Sequence, residues 1–351
     1  MDAKITKLRL SRMLSYDWLK IVLSAAAMIV VWLLVFTITG TGVMPSQQFT
    51  VMNFVGNTTL SSGEFYDLQG NAFKDNIFSY EVIEGTTVDL AQDANSAGTL
   101  LQARAAVEEG DVIFVANDYD YRSVVTNKIV DEGTGETTYS YEFGNTYLQN
   151  FLNGYFHYVF DVKEYLADMR AFVGQYYEDY QTGTGLNEQQ IKDDFNARTK
   201  KDKRFKKSAA RAQGQKDEVV RIQKYRDALV KFEWYLDQGV VALTETTLVF
   251  DEDVEYTRTF SINMCPSEDK GGMTVDGKPA MSKLLNAISY KPVFVNEENE
   301  LEYGEATAEN MNVCLFDFGG VADTYEYESL LFVVYTIERY SAELCPEYIY
   351  A

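Results

Sequence analysis

The sequence predicts an α/β protein in which a single N-terminal transmembrane helix is followed by an extracytoplasmic α/β domain with a helix-rich middle. Three observations predict it. Residues 21–39 are an uncharged apolar run, strand-like and helix-like segments alternate between residues 49 and 116, and helical periodicity takes over from about 150 to 238. The domain boundaries that follow are a basic segment 1–20, a membrane helix 21–40, a spacer 41–48 and an α/β domain 49–351, with its basic, helix-rich part at about 150–238.

The apolar run reads IVLSAAAMIVVWLLVFTIT, 19 residues without a charge. At 1.5 Å per residue it would span roughly 28 Å, close to the hydrocarbon thickness of a bilayer. Lys4, Lys7, Arg9, Arg12 and Lys20 precede it, and no Lys or Arg follows until Lys74. That asymmetry places the N-terminus in the cytoplasm and the bulk of the chain outside, in the cell membrane with a single pass. Tyr16 and Trp18 stand where an interfacial aromatic belt would be. The competing reading is a cleaved signal peptide, whose apolar region is shorter and ends at small residues. Here Trp32 sits in the second half of the run and no cysteine follows for lipidation.

Beyond the anchor, FTVMNFV (49–55) is a strand stopped by Gly56 and Asn57, and FSYEVI (78–83) is a second strand. Ser96 caps a helix from about 97 to 109, with Leu100, Leu101, Ala103, Ala106 and Val107 toward the core, and Gly110 ends it with positive φ. DVIFVA (111–116) is then an apolar strand of the kind covered on both faces, closing a βαβ unit. The helical middle breaks at 182–185. Strands return over 240–264, a small helix covers 280–288, and VCLFDF (313–318) is a late strand. Asp323 and Glu326 form a capping box for a last helix, about 325–344, whose core positions are Tyr327, Leu330, Leu331, Val334 and Ile337.

Charge narrows the function. The formal net charge is −22, with 53 acidic residues, which argues against nucleic acid as a partner because phosphate binding needs a basic face. One segment runs the other way: residues 192–231 hold 14 Lys or Arg against 6 Asp or Glu. Such a segment either is a solvated helix pair or binds an anionic membrane surface or wall polymer. The three cysteines, Cys265, Cys314 and Cys345, fit one bridge or none, and with His157 the sole histidine no metal site is expected. No GxSxG, HExxH or P-loop occurs, no cofactor is implied, and the carboxylate clusters at Asp118 and Asp120 and at 251–253 lack a partner set. The chain reads as a non-enzyme.

The loop Asn117, Asp118, Tyr119, Asp120, Tyr121 leaves the carboxyl end of the 111–116 strand, where open α/β sheets bind ligands, and Asn57 ends the first strand in the same way. Tyr faces beside carboxylate and amide groups suit sugars and other polyols. The order FTVMNFVG, FSYEVI and TLLQARAAVEEGDVIFVAND resembles the extracellular solute-binding proteins of ABC importers, over about residues 49–120. That resemblance implies a two-lobed domain closing on a small polar solute beside an importer permease. It implies ligand groups at Asn57 and at Asn117, Asp118, Tyr119, Asp120 and Tyr121, with Trp234 and Tyr235 as stacking groups in the helical part. The alternative is a non-catalytic cell-envelope scaffold that works through the basic helical segment.

Overall fold

The computed structural model describes residues 7, 11, 20, 22–33, 48–54, 58–60, 84–89, 97–107, 110–120, 123–130, 133–135, 137–251, 254–317 and 327–341. Fourteen strands are among them. They are β1 (Gln48–Asn53), β2 (Thr58–Leu60), β3 (Glu84–Asp89), β4 (Val112–Ala116), β5 (Val125–Val130), β6 (Thr137–Glu142) and β7 (Ala242–Asp251), followed by β8 (Val254–Asn263), β9 (Thr274–Val275), β10 (Lys278–Pro279), β11 (Ile288–Tyr290), β12 (Val293–Val295), β13 (Leu301–Tyr303) and β14 (Met311–Leu315). The helices beyond residue 45 are α1 (Ala97–Ala106), α2 (Tyr147–Tyr155), α3 (Val162–Gly174), α4 (Glu188–Arg198), α5 (Ser208–Asp237) and α6 (Glu328–Tyr340). Pro45–Ala351 form one compact unit and Met1–Met44 another.

Six strands make one mixed sheet in the order β3-β1-β4-β14-β8-β7. The first three are parallel, and every pairing from β4 onward is antiparallel. The apolar runs explain the middle of the sheet. All five residues of β4 and all five of β14 are buried, as strands covered on both faces must be. On one face α6 lays Phe332 against Phe49 and Phe114, with ring centroids 5.2 and 6.2 Å apart. Phe151 of α2 packs against Phe54 and Phe316, at 5.8 and 6.2 Å. Asp111, just before β4, ties the first strands together: its carboxylate accepts from Thr50 N at 2.7 Å and its own N–H donates to Thr50 O.

The helical middle follows from local signals. Thr146 and Gln149 form a capping box that starts α2, Asp161 caps α3 and Asn187 caps α4. The expected break at 182–185 is present, with Gly183 and Gly185 both at positive φ and Asp179 bridged to Thr184. Gly110 takes φ +142° at the turn into β4, as expected.

Several expectations shift. The second parallel strand is β3, EGTTVD, while FSYEVI lies outside the described residues, as do Ser96 and the Asp323–Glu326 capping pair. The expected helix over 280–288 is a 3₁₀ turn, Ser282–Asn286, because the chain enters it from the tight β9–β10 hairpin and leaves straight into β11. Residues 22–33 are helical with their apolar side chains exposed. Among the described residues no helix is long and apolar enough to cross a membrane, so the single N-terminal span expected over 21–40 is not supported. Residue 21 and residues 34–40 lie outside the described residues.

Candidate functional site

Because β1 and β4 are parallel neighbours, their carboxyl ends open on the same edge of the sheet. The chain reaches β3 on one side of β1 and then crosses, through α1, to β4 on the other. The order of strands therefore reverses at β1, and the gap between β1 and β4 is the topological switch point where such sheets receive ligands. Asn53 closes β1 there and is fully buried. Phe54 N–H donates to Phe114 O and Asn117 N–H to Asn310 O, both at 2.9 Å, so the two strand ends and the start of β14 are stitched to one another.

The loop after β4 is built rather than loose. Asp118 Oδ1 accepts from Tyr119 N–H at 2.7 Å, and its carboxylate also faces the Tyr290 hydroxyl. Asp118 O accepts from Tyr147 N–H at 3.0 Å, at the first residue of α2. Asp120 is buried; its Oδ2 accepts from Asn150 Nδ2 at 2.9 Å, and its backbone pairs with Asn145 O and with Ser123. Tyr119 bridges Thr146, the cap of α2. The polar groups of residues 117–120 thus fasten β4 to α2.

What faces solvent is narrower. Tyr119 is 45% exposed and its ring lies 5.0 Å from Phe143. Asn117 and Asp118 are half-buried beside it, and Tyr139 of the β5–β6 hairpin is exposed. Asn299, in the β12–β13 turn, donates to Tyr139 O and props that hairpin. Burial, and after it the Asp118 carboxylate, pushes the Tyr290 hydroxyl up from its ordinary range, so it keeps its proton and donates to Glu309 O at 2.9 Å. The arrangement can stack a flat face on Tyr119 and offer amide and carboxylate groups at its edge. It has no nucleophile–base pair, and among the described residues no group of three His, Cys, Asp or Glu could hold a metal ion. His157 is exposed, its ring tilted against that of Phe156.

The other expected ligand groups separate from this loop. Trp234 and Tyr235 form the C-terminal turn of α5, packed ring to ring at 5.3 Å; Tyr235 is buried, and their carbonyls accept from Gln238 and Val240 as the helix ends. Asn57 and Tyr121 lie outside the described residues. Sequence reasoning missed Tyr290, Phe143 and Tyr139. A 172-residue separation hides the Asp118–Tyr290 pair from any local pattern, whereas Phe143 and Tyr139 belong to an alternating run, TTYSYEF, that signals a strand.

A second polar centre is buried in the helices. Glu218 Oε1 receives both Arg221, its neighbour one turn on in α5, and Arg198 of α4 at 2.9 Å. Arg221 donates to the Tyr225 hydroxyl at 3.2 Å, and Tyr225 donates to Glu328 Oε1 of α6 at 2.6 Å. Glu218, Arg221, Tyr225 and Glu328 are all buried. Burial pushes the Glu328 carboxyl up to about 7, against the pull of Arg221 and the Tyr225 hydrogen bond. Alongside, α5 and α6 leave a groove of about 490 Å³ lined by Lys224, Asp227, Leu331, Val334, Tyr335 and Arg339, with Lys231 paired to Glu338. It mixes charges of both signs on open helix surfaces and encloses no converging polar set.

Family models, curated proteins and solved structures were each compared with the chain, and none matches.

Proposed function

We propose that the chain is a membrane-anchored, extracytoplasmic binding protein that takes a small polar solute, a sugar or similar polyol, at the carboxyl edge of β1 and β4, beside an ABC importer. The observation that carries this reading is the reversal of strand order between β1 and β4, with the half-exposed Tyr119 ring, Asn117 and Asp118 standing at that point. The geometry favours binding over catalysis. An aromatic face with flanking amide and carboxylate oxygens holds a sugar by stacking and hydrogen bonds. Asp120, Asn145, Asn150 and Ser123 hold the loop in one shape before any ligand arrives, which lowers the ordering cost of binding. The anchor rests on the sequence alone: an apolar run after five basic residues, with no further basic residue until Lys74. A second lobe that closes on the solute is implied by the family resemblance, and Pro45–Ala351 form one compact unit.

Thermal unfolding of the full chain against a panel of sugars, oligosaccharides, peptides and amino acids tests it. A ligand at about 100 times its dissociation constant adds roughly 2.7 kcal/mol of stability. A shift confined to one sugar class, and lost in Tyr119→Ala, is the expected result. A flat panel on a folded protein defeats the proposal.

A further inference from the structure

We infer that the apex of the α4–α5 hairpin is a docking surface for an anionic lipid bilayer, a function separate from solute binding. The sequence there reads TKKDKRFKKSAAR, from Thr199 to Arg211. The structure divides its residues by task. Thr199 is buried and its hydroxyl donates to Phe195 O at 2.7 Å. Asp202 caps the short 3₁₀ turn Lys203–Phe205 and forks onto Arg204 at 2.6 Å. Phe205 packs edge-on against Phe195 at 4.9 Å, over Gly214. Those residues fix the shape of the turn. Lys203, Lys206 and Lys207 contribute only backbone to it, and the side chains of Lys200, Lys201, Lys203, Lys206 and Lys207 are left over: all five are exposed, and among the described residues none has a carboxylate within 4.0 Å of its ammonium. The first turn of α5 begins at the same place, at Lys207, without a side-chain cap, so its free N–H groups add partial positive charge.

Five cations on a rigid apex, in a chain of net charge −22, are a concentration of charge that folding does not consume. Their chemistry selects the partner class. Lysine ammonium groups are mobile point charges suited to a diffuse anionic surface, whereas a discrete phosphate site would call for arginine forks, and Arg204 is already taken by Asp202. The five lysines stand together on the turn that joins α4 to α5, spread over eight residues of exposed chain. The acidic bulk of the domain does not cancel the attraction, because charges more than about 8 Å from the surface are screened at physiological ionic strength. This partner rests in part on the proposed function, in which the chain is anchored to a membrane.

The test reads the apex itself, since the basic residues before the apolar run would also favour anionic lipid. The full chain is reconstituted in phosphatidylcholine vesicles and in vesicles containing phosphatidylglycerol, and amide exchange is followed by mass spectrometry. Exchange across residues 199–213 should slow only with the anionic lipid, return to the unbound rate in high salt, and lose its composition dependence in the variant K200E/K201E/K203E/K206E/K207E. Exchange in β4 must stay unchanged in that variant; if it does not, the five Lys→Gln substitutions replace it and should weaken lipid binding at the apex by on the order of a thousandfold, which removes the lipid-dependent protection. Equal exchange in both vesicle types overturns the inference. So does slowing that survives charge reversal, or slowing by soluble polyphosphate with none on vesicles.

Discussion

Replacing Glu328 with Gln should make the protein more stable at pH 8 while leaving it unchanged at pH 5. Glu328 sits in the first turn of α6, is 2% exposed, and has one oxygen bonded to Tyr225 while Oε2 has no hydrogen-bond partner among the described residues. Burial raises its carboxyl from an ordinary 4.5 to about 7. The folded state therefore binds the proton more tightly than the unfolded chain. The contribution is fully present below about pH 4.5 and is lost as pH rises through 7. At roughly 1.4 kcal/mol per unit, the shift corresponds to about 3 kcal/mol once the group must ionise in place, most of it between pH 5 and 8. The other ionisable groups, and self-repulsion in so acidic a chain, also vary with pH, so wild type alone cannot report the effect. The difference between wild type and Glu328→Gln can, because glutamine keeps the oxygen that accepts from Tyr225 and cannot ionise. Urea unfolding of both proteins at pH 5 and pH 8 should give near-equal stabilities at pH 5 and a variant more stable by about 2–3 kcal/mol at pH 8. A difference that does not change with pH, or a variant less stable at pH 8, would show that Arg221 and Arg198 hold Glu328 ionised, and the burial argument would be wrong.

Four further outcomes follow from the same contacts. Asn312→Ala strips the shared acceptor from Thr244 Oγ1 and Ser261 Oγ, at 2.7 and 2.9 Å, and should cost roughly 1–3 kcal/mol for each buried group left unmatched, read by chemical denaturation. Gly214→Ala would set a methyl 2.5 Å from Phe195 and 2.7 Å from Phe205, so it should destabilise by about 1–3 kcal/mol and loosen the lysine apex, visible as faster exchange at residues 199–207. Tyr119→Ala should abolish the ligand-induced thermal shift and leave the ligand-free midpoint within about a degree, since the ring is exposed and only Phe143 leans on it. Cys265 and Cys314 are free and buried, and burial pushes the Cys265 thiol up to about 12; both should resist thiol reagents at pH 8 until the protein is unfolded, and rapid native labelling of either would contradict the packing.

Elements with a strong local cause were legible in the sequence. The run VIFVA could only be a strand covered on both faces, and Gly110 before it takes the positive φ its place required. In the last helix Tyr327, Leu330, Leu331, Val334 and Ile337 all turn inward, as their spacing demands. What stayed hidden depends on partners far along the chain. The position of β14 between β4 and β8, antiparallel to both, joins segments nearly 200 residues apart, and nothing in VCLFDF states which strand it will meet. The parallel strand β3 is EGTTVD, a polar stretch that becomes an edge strand because β1 offers it a full register of six pairs, while the more apolar FSYEVI drew attention away from it. The candidate loop was legible as a position, at the end of a strand, and illegible as a structure, because Asn150, Tyr147, Thr146 and Tyr290 complete it from elsewhere.

The basic segment shows why a count of charges cannot assign a role. Its cations divide into three populations that composition treats alike. Arg198 and Arg221 are both spent on Glu218, where removing the pair would strand a buried carboxylate. Arg204 and Lys231 are tied to Asp202 and Glu338 and contribute little either way, while Arg226, mostly buried, also donates to the carbonyls of Tyr180 and Gln181. The lysines of the apex face water, and among the described residues none has a carboxylate within 4.0 Å of its ammonium. The helix α5 carries Arg221, Arg226 and Lys231 along one 30-residue rod, so its core face includes Glu218 and Arg221 and it shows no clean apolar stripe. The buried pair fixes how α4, α5 and α6 pack, and that packing is what holds the apex in one shape. An interaction surface made of flexible side chains therefore rests on an ionic core made of rigid ones, and reversing the five lysines should leave stability unchanged while Arg221→Ala should unfold the helical half by about 3–5 kcal/mol.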